Sequence, residues 1–193
     1  MAQEVEIEFK NLLNKAEYHH LADHFRSHKF TTTEQINHYF ETYDFQLKKH
    51  HAALRIREKA RSFQLTLKQP NPKGAGLLET HADLTETEMN EWISGNYISK
   101  TEIQNALNAI QIHLKDLKYG GMLKTFRMEI NYKDTLLVLD KSEYNNQTDY
   151  ELELEAQEEK HGYKVFNEIL NEHQIPKRST ANKIERFYQS LNI

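Results

Sequence analysis

The chain contains no cysteine. Disulfides, thiolate metal sites and thiol nucleophiles are therefore excluded, and a reducing, cytoplasmic setting is expected. Only three prolines and six glycines occur, so strong breaks between elements are few. No run of 18 apolar residues is present, and no membrane span is expected. The opening MAQEVEIEFK has neither a basic start nor an apolar stretch, so no signal peptide is expected. Positive charge is not in excess: the net charge is −4, and neither nucleic acid nor a membrane is an expected partner. The glycines of NPKGAG (71–76) are not followed by GK[ST], so no P-loop is present. Histidines are plentiful but lack zinc spacing. His19-His20 and His50-His51 are adjacent pairs that face apart, and His24 and His28 have no third ligand nearby in sequence. They read as surface groups, and Trp92 reads as a packing residue.

What is present is a polar chain with an aromatic complement. Charged residues make up 28%, yet ten Tyr and nine Phe argue against disorder. The 193 residues suffice for one domain, 1–193, with a sizeable core. Alternation predicts strands at 4–10, 37–46, 52–59, 62–69, 76–83, 123–132, 135–144 and 149–157. Helical spacing predicts helices at 13–28, 85–94, 101–116, 158–174 and 180–191. QPNPKGAG (69–76) and YGGM (119–122) read as loops. Thr101 with Gln104 suggests a capping box, and Thr180 a cap for the last helix. Many strands joined by short turns predict an α+β fold. Its sheet is an eight-stranded antiparallel β-barrel with the helices packed outside, because closure removes exposed edges.

The strand faces carry the functional signal. Residues 4–10, EVEIEFK, set Val5, Ile7 and Phe9 against Glu4, Glu6, Glu8 and Lys10. Leu54 and Ile56 oppose Arg55, Arg57 and Lys59; Leu65 and Leu67 oppose Thr66 and Lys68. Met128 and Ile130 oppose Arg127 and Glu129; Leu152 and Leu154 oppose Glu151, Glu153 and Glu155. A half-wet antiparallel sheet alternates in this way too. Here, however, acid and base are segregated strand by strand, and Arg and Glu stand where a wet strand carries Thr and Ser. The pattern predicts an inverted barrel, apolar outside under helices and charged within. Carboxylates two residues apart on a strand lie about 6.5–7 Å apart and repel. A hard divalent cation relieves that repulsion, and basic residues opposite then need an anion. A polyphosphate meets both demands.

Glu6-Ile7-Glu8-Phe9-Lys10 matches the ExExK signature of the CYTH domain, or triphosphate tunnel metalloenzymes. The rest of the chain resembles that family in order. NHYFETYDF (37–45) resembles its second strand, with Glu41 where Asp is usual. LRIREK (54–59) resembles its double-Arg strand and LTLKQP (65–70) its Lys strand. Glu79, Arg127, Asp140, YELELE (150–155) and IPKRSTANKIERF (175–187) follow. The resemblance implies a tunnel barrel that binds a triphosphate-containing small molecule with Mg²⁺ or Mn²⁺. It implies phosphate-binding roles for Lys10, Arg55, Arg57, Lys68 and Arg127, with Lys177 or Lys183 closing the site. Metal candidates are Glu6, Glu8, Asp140, Glu153 and Glu155, with Glu151 sharing the face of Glu153. Glu79 is either a metal ligand or the partner of a tunnel Arg. Glu6, Glu8 and Lys10 are the expected catalytic core. The activity implied is hydrolysis of inorganic or small organic triphosphate; adenylate cyclase and non-catalytic polyphosphate binding remain alternatives, and a homodimer is left open.

Overall fold

In a computed structural model of the protein, residues 3–74 and 76–191 are described, with backbone alone for residues 3–6. The side chain of Glu6, a predicted ligand and catalytic residue, thus lies outside the described part.

The elements in chain order are β1 (Gln3–Leu13), α1 (Lys15–His24), β2 (Phe30–Thr42), α2 (Gln46–Lys49), β3 (Ala53–Lys59), β4 (Ser62–Pro70) and β5 (Leu77–Leu84). There follow α3 (Glu86–Ile93), α4 (Thr101–Ala109), β6 (Leu117–Tyr132), β7 (Thr135–Tyr144), β8 (Gln147–Ala156), α5 (Glu159–Glu172) and α6 (Lys183–Gln189). The chain forms two compact units, one of residues 1–5 and 35–123, the other of 6–34 and 124–193. Strands β1, β2 and β6 contribute to both. The hydrogen-bonded order β1-β5-β4-β3-β2-β6-β7-β8 is that of a closed eight-stranded barrel. Pairings β2–β3, β3–β4 and β4–β5 in the first unit, and β6–β7, β7–β8 and β8–β1 in the second, are antiparallel.

Register follows the alternation. In the first unit Leu54, Leu67 and Thr80 lie abreast, as do Ile56, Leu65 and Ala82. Leu54, Ile56, Leu65 and Leu67 are fully buried with Trp92 of α3 and Ile103 and Leu107 of α4. In the second unit Leu139 and Leu152, then Ile130, Leu137 and Leu154, pack with Leu21 of α1 and Val165, Phe166 and Ile169 of α5. In each unit the helices therefore cover the apolar face, and the ionic residues occupy the other. Among the described residues, no helix is long and apolar enough to cross a membrane.

Several boundaries differ from expectation. β2 begins at Phe30, seven residues early, because Thr-rich FTTTEQ is strand-compatible without apolar alternation. YGGM is not a loop: it lies inside β6, with Gly121 at φ +124, a conformation strained for any other residue. Thr101 caps nothing, since the N-cap of α4 is Lys100 and bonds through no side chain. Thr180 also caps no helix. Its hydroxyl accepts from the Leu12 N–H and donates to the Arg178 carbonyl, and α6 starts only at Lys183. True capping boxes are Asn14 with Glu17 and Thr85 with Glu88, both reciprocal. Helices 13–28, 101–116 and 180–191 are correspondingly shorter than predicted.

One packing contact gives a test. Gly162 of α5 is buried, and a Cβ there would meet the Ala156 Cβ at 2.6 Å and the Phe9 Cε2 at 2.7 Å. Gly→Ala in a helix ordinarily stabilises by up to about 1 kcal/mol. Here overpacking against a strand and an aromatic ring prevails, and Gly162→Ala should destabilise by about 1–3 kcal/mol. Urea unfolding at neutral pH measures it; a raised midpoint contradicts the packing.

Candidate functional site

The ionic face of the second unit is built by register. Arg127 of β6, Asp140 of β7 and Glu151 of β8 lie abreast. The next row places Glu153 opposite Lys10, and the next places Glu155 opposite Glu8. These groups do not face water: Asp140 is 0% exposed, Glu151 1% and Glu153 6%. Buried carboxylates need partners, and the chain supplies three cations. Arg127 donates Nε and Nη2 to the two Asp140 oxygens at 2.9 and 2.7 Å, and Nη2 also to Glu153 at 2.6 Å. Lys183, from the first turn of α6, donates to Asp140 and Glu153 and lies 3.4 Å from Glu151. Arg186, one turn on, grips Glu151 at 2.6 Å and Asp149 at 2.8 Å.

Protonation follows from these contacts. Burial lowers the affinity of Arg127 for its proton, but Asp140 and Glu153 more than offset it and hold the guanidinium charged. Burial is likewise outweighed at Lys183, where Asp140, Glu153 and Glu151 raise the ammonium well above its ordinary range. At Glu153 burial would raise the carboxyl, but Lys183 and Arg127 hold it well below the usual carboxylate range. At Glu151 burial prevails over Lys183 and Arg186, and its carboxyl is raised.

A depressed carboxyl adds stability above the ordinary Glu value of 4.5, and that contribution is lost as pH falls through the folded-state value. Glu153→Gln should therefore lower the urea midpoint at pH 7 while narrowing the difference between pH 7 and pH 3. An unchanged pH 7-to-3 difference would show that Glu153 is not ionised in the folded chain.

The C-terminal segment reaches this face because β1 holds it. Asn11, fully buried, donates to the Pro176 carbonyl and accepts from the Arg178 N–H. Arg178 pairs with both oxygens of Glu17 at 2.8 Å. Asn182 accepts from Lys10, which also donates to Glu8 at 3.1 Å. Lys183 enters the carboxylate cluster, whereas Lys177 is exposed with its ammonium 5.1 Å from the Tyr163 ring. Sequence reasoning passed over Arg186, Asp149, Asn182 and Asn11. Arg186 stands in the quoted IPKRSTANKIERF, three residues after Lys183, and helical phase could have flagged it.

The first unit carries its own ionic face. Tyr39, Arg55, Thr66 and His81 lie abreast, as do Asn37, Arg57, Gln64 and Asp83. Lys68 is opposite Glu79, and the two form an ion pair. Glu79 is 4% exposed and also lies 3.5 Å from His81. Arg57 donates to Asn37 at 3.2 Å. The Nε of Arg55 is buried and, among the described residues, makes no hydrogen bond. Glu41, a Glu where Asp is usual, accepts the N–H groups of Thr42, Leu47 and Lys48 and so fixes the turn into α2.

Residues 4–188 match the profile of the CYTH domain. The Bacillus subtilis (strain 168) protein named "Putative triphosphatase YjbK" is 42% identical over 189 residues, 98% of this chain and 97% of that one. A Bacillus halodurans crystal structure, described as a putative adenylate cyclase, is 43% identical with a TM-score of 0.90 and covers 97% of this chain and 100% of its own. The Hippeastrum protein HpAC1 has the same fold, with a TM-score of 0.77 at 24% identity and coverage of 95% of each chain.

Proposed function

Because the chain belongs to the CYTH domain family, we propose that it is a metal-dependent triphosphatase that hydrolyses inorganic triphosphate or a small organic triphosphate. The observation that carries this reading is Arg55. A buried guanidinium nitrogen without an acceptor is rare and costly, and a phosphate oxygen is the acceptor that the group fits best. Arg57, Lys68 and Lys10 are proposed to bind further phosphate oxygens. The 42% identity to a protein named as a triphosphatase supports the same chemistry.

The donor set fits a hard divalent ion. Glu8 and Glu155 are directly opposed across β1 and β8, and like charges so placed destabilise a ladder unless a cation lies between them. Glu8 and Glu155, less buried than Asp140 and Glu151, are with Glu153 the proposed ligands of Mg²⁺ or Mn²⁺. The resemblance adds Glu6. Glu79, paired with Lys68, is proposed as the partner of a phosphate-binding cation. Arg127 and Lys183 are proposed to position the carboxylates.

When bound, the ion supplies charge neutralisation along the phosphate chain. Arg55, Arg57 and Lys68 orient the triphosphate and stabilise charge that spreads over the transferring oxygens. Water attacks the terminal phosphorus in line, and its proton passes to solvent. The P–O bond to the leaving diphosphate breaks, giving orthophosphate and pyrophosphate. The absence of cysteine supports a cytoplasmic setting.

The B. halodurans relative supports a second reading, ATP cyclisation. Product analysis of ATP with Mg²⁺ or Mn²⁺ separates the two. ADP and orthophosphate support the hydrolase, whereas cyclic AMP and pyrophosphate overturn it. Binding of tripolyphosphate without turnover of any triphosphate makes the protein a sensor.

A further inference from the structure

We propose a second metal site, in the helical layer of the second unit, formed by His24, Glu172 and His173 and selective for a borderline transition ion of the Zn²⁺ class. One ligand atom from each of these residues lies within 4.8 Å of the other two. Two imidazoles and one carboxylate form a nitrogen–oxygen set that suits zinc and leaves a position open. A tetrahedral zinc holds its ligand atoms roughly 3.3 Å apart, given bonds of about 2.0–2.1 Å. His24 and Glu172 are exposed side chains with the freedom to close that difference.

Three further features point to a cation. His20 Nε2 lies 3.1 Å from His173 Nδ1, a contact that needs a single proton between two rings. It leaves Nε2 of His173 for a metal and supplies the orienting hydrogen bond that metal-bound imidazoles generally have. The rings of His24 and His173 meet edge-on with centroids 4.4 Å apart, so the two imidazoles are already neighbours. Finally, α1 ends at His24 and α5 at Glu172, so the negative ends of two helix dipoles meet at the cluster.

The sequence conceals this grouping. It offers His24 with His28, but the helix stops at His24, and the partners arrive about 150 residues later at the end of α5. The ring of Phe25, in the apolar core, stacks edge-on to His24, so the site belongs to the helix-covered side and shares no residue with the carboxylate cluster. Bound metal would join the ends of α1 and α5.

The test is equilibrium dialysis of the chelator-stripped full chain against Zn²⁺ in excess Mg²⁺, which fills the oxygen-only sites, together with the visible spectrum of the Co²⁺ form. The expected result is one Zn²⁺ per chain with micromolar affinity and a Co²⁺ d–d band. His24→Ala and His173→Ala should each weaken binding at least tenfold, and Glu8→Gln should leave it unchanged. Micromolar zinc binding retained by the His24→Ala/His173→Ala double variant would overturn the proposal. So would a wild-type chain without micromolar binding or without the Co²⁺ band; the latter two do not depend on how the variants fold.

Discussion

Lys183→Met is expected to lower the unfolding free energy by about 3–5 kcal/mol, the usual cost of removing one partner from a buried ionic cluster. The ammonium neutralises Asp140 and Glu153 and stands 3.4 Å from Glu151, and all of these carboxylates are buried. Arg127 and Arg186 remain, but each already serves two acids. The excess negative charge must then be protonated or hydrated, at the expense of the fold. Triphosphatase activity should fall by at least a hundredfold, because the acids that Lys183 arranges lose their geometry. Adding Glu153→Gln to Lys183→Met should recover part of the stability but not the activity. Lys177→Ala, at an exposed lysine whose ammonium lies 5.1 Å from the Tyr163 ring, should leave both near wild type. Denaturant unfolding and phosphate release on the four proteins are the measurements. Equal losses from Lys177→Ala and Lys183→Met would contradict the placement of the C-terminal segment.

The second large effect is opposite in kind. Arg55→Ala should reduce kcat/KM for tripolyphosphate by roughly a hundredfold or more, about 3 kcal/mol of lost transition-state binding. Stability should change little or rise, since the substitution removes a buried nitrogen that has no acceptor in the described chain. Arg55 also has no ion pair among the described residues, unlike Arg127, whose guanidinium is held by Asp140 and Glu153. The two arginines stand on equal terms in sequence, each flanked by apolar residues on an alternating strand. Their environments divide them: the Nε of Arg55 has no acceptor among the described residues, whereas Arg127 is held by Asp140 and Glu153. If Arg55→Ala unfolds the chain and leaves tripolyphosphate affinity intact, the first unit does not bind phosphate through this residue.

Much of this was legible in the residue order because strand parity is rigid. A side chain two positions along a strand returns to the same face, so Glu8 with Lys10, Arg55 with Arg57 and Glu151 with Glu153 had to share faces. The apolar residues between them had to seek the helices. Segregation of charge by strand distinguished a buried ionic face from a wet one, and the burial of Asp140 and Glu151 agrees with that reading. What stayed hidden depends on pairing at a distance. Lys177 lies in the irregular segment before α6 and Lys183 opens that helix, and distant bonds to β1, such as those from Asn11 to Pro176 and Arg178, bring Lys183 to Asp140. The pairing of Arg186 with Glu151 spans 35 residues and has no local signature. The extension of β2 through FTTTEQ and the inclusion of YGGM in β6 were missed for a different reason. Neither segment alternates apolar with polar residues, and backbone pairing overrides the loop signal of a Gly-Gly dipeptide.

The central claim is that carboxylates and cations on buried strand faces serve a triphosphate and a divalent ion. Its most direct test is orthophosphate release from inorganic tripolyphosphate by the wild-type chain, with Mg²⁺ or Mn²⁺ and then with excess chelator. The account predicts one orthophosphate and one pyrophosphate per tripolyphosphate consumed, no release once the metal is removed, and no release by Glu8→Gln. Release that continues in chelator at the full rate, or no release with either metal from a chain that binds tripolyphosphate no better than sulfate, would contradict it.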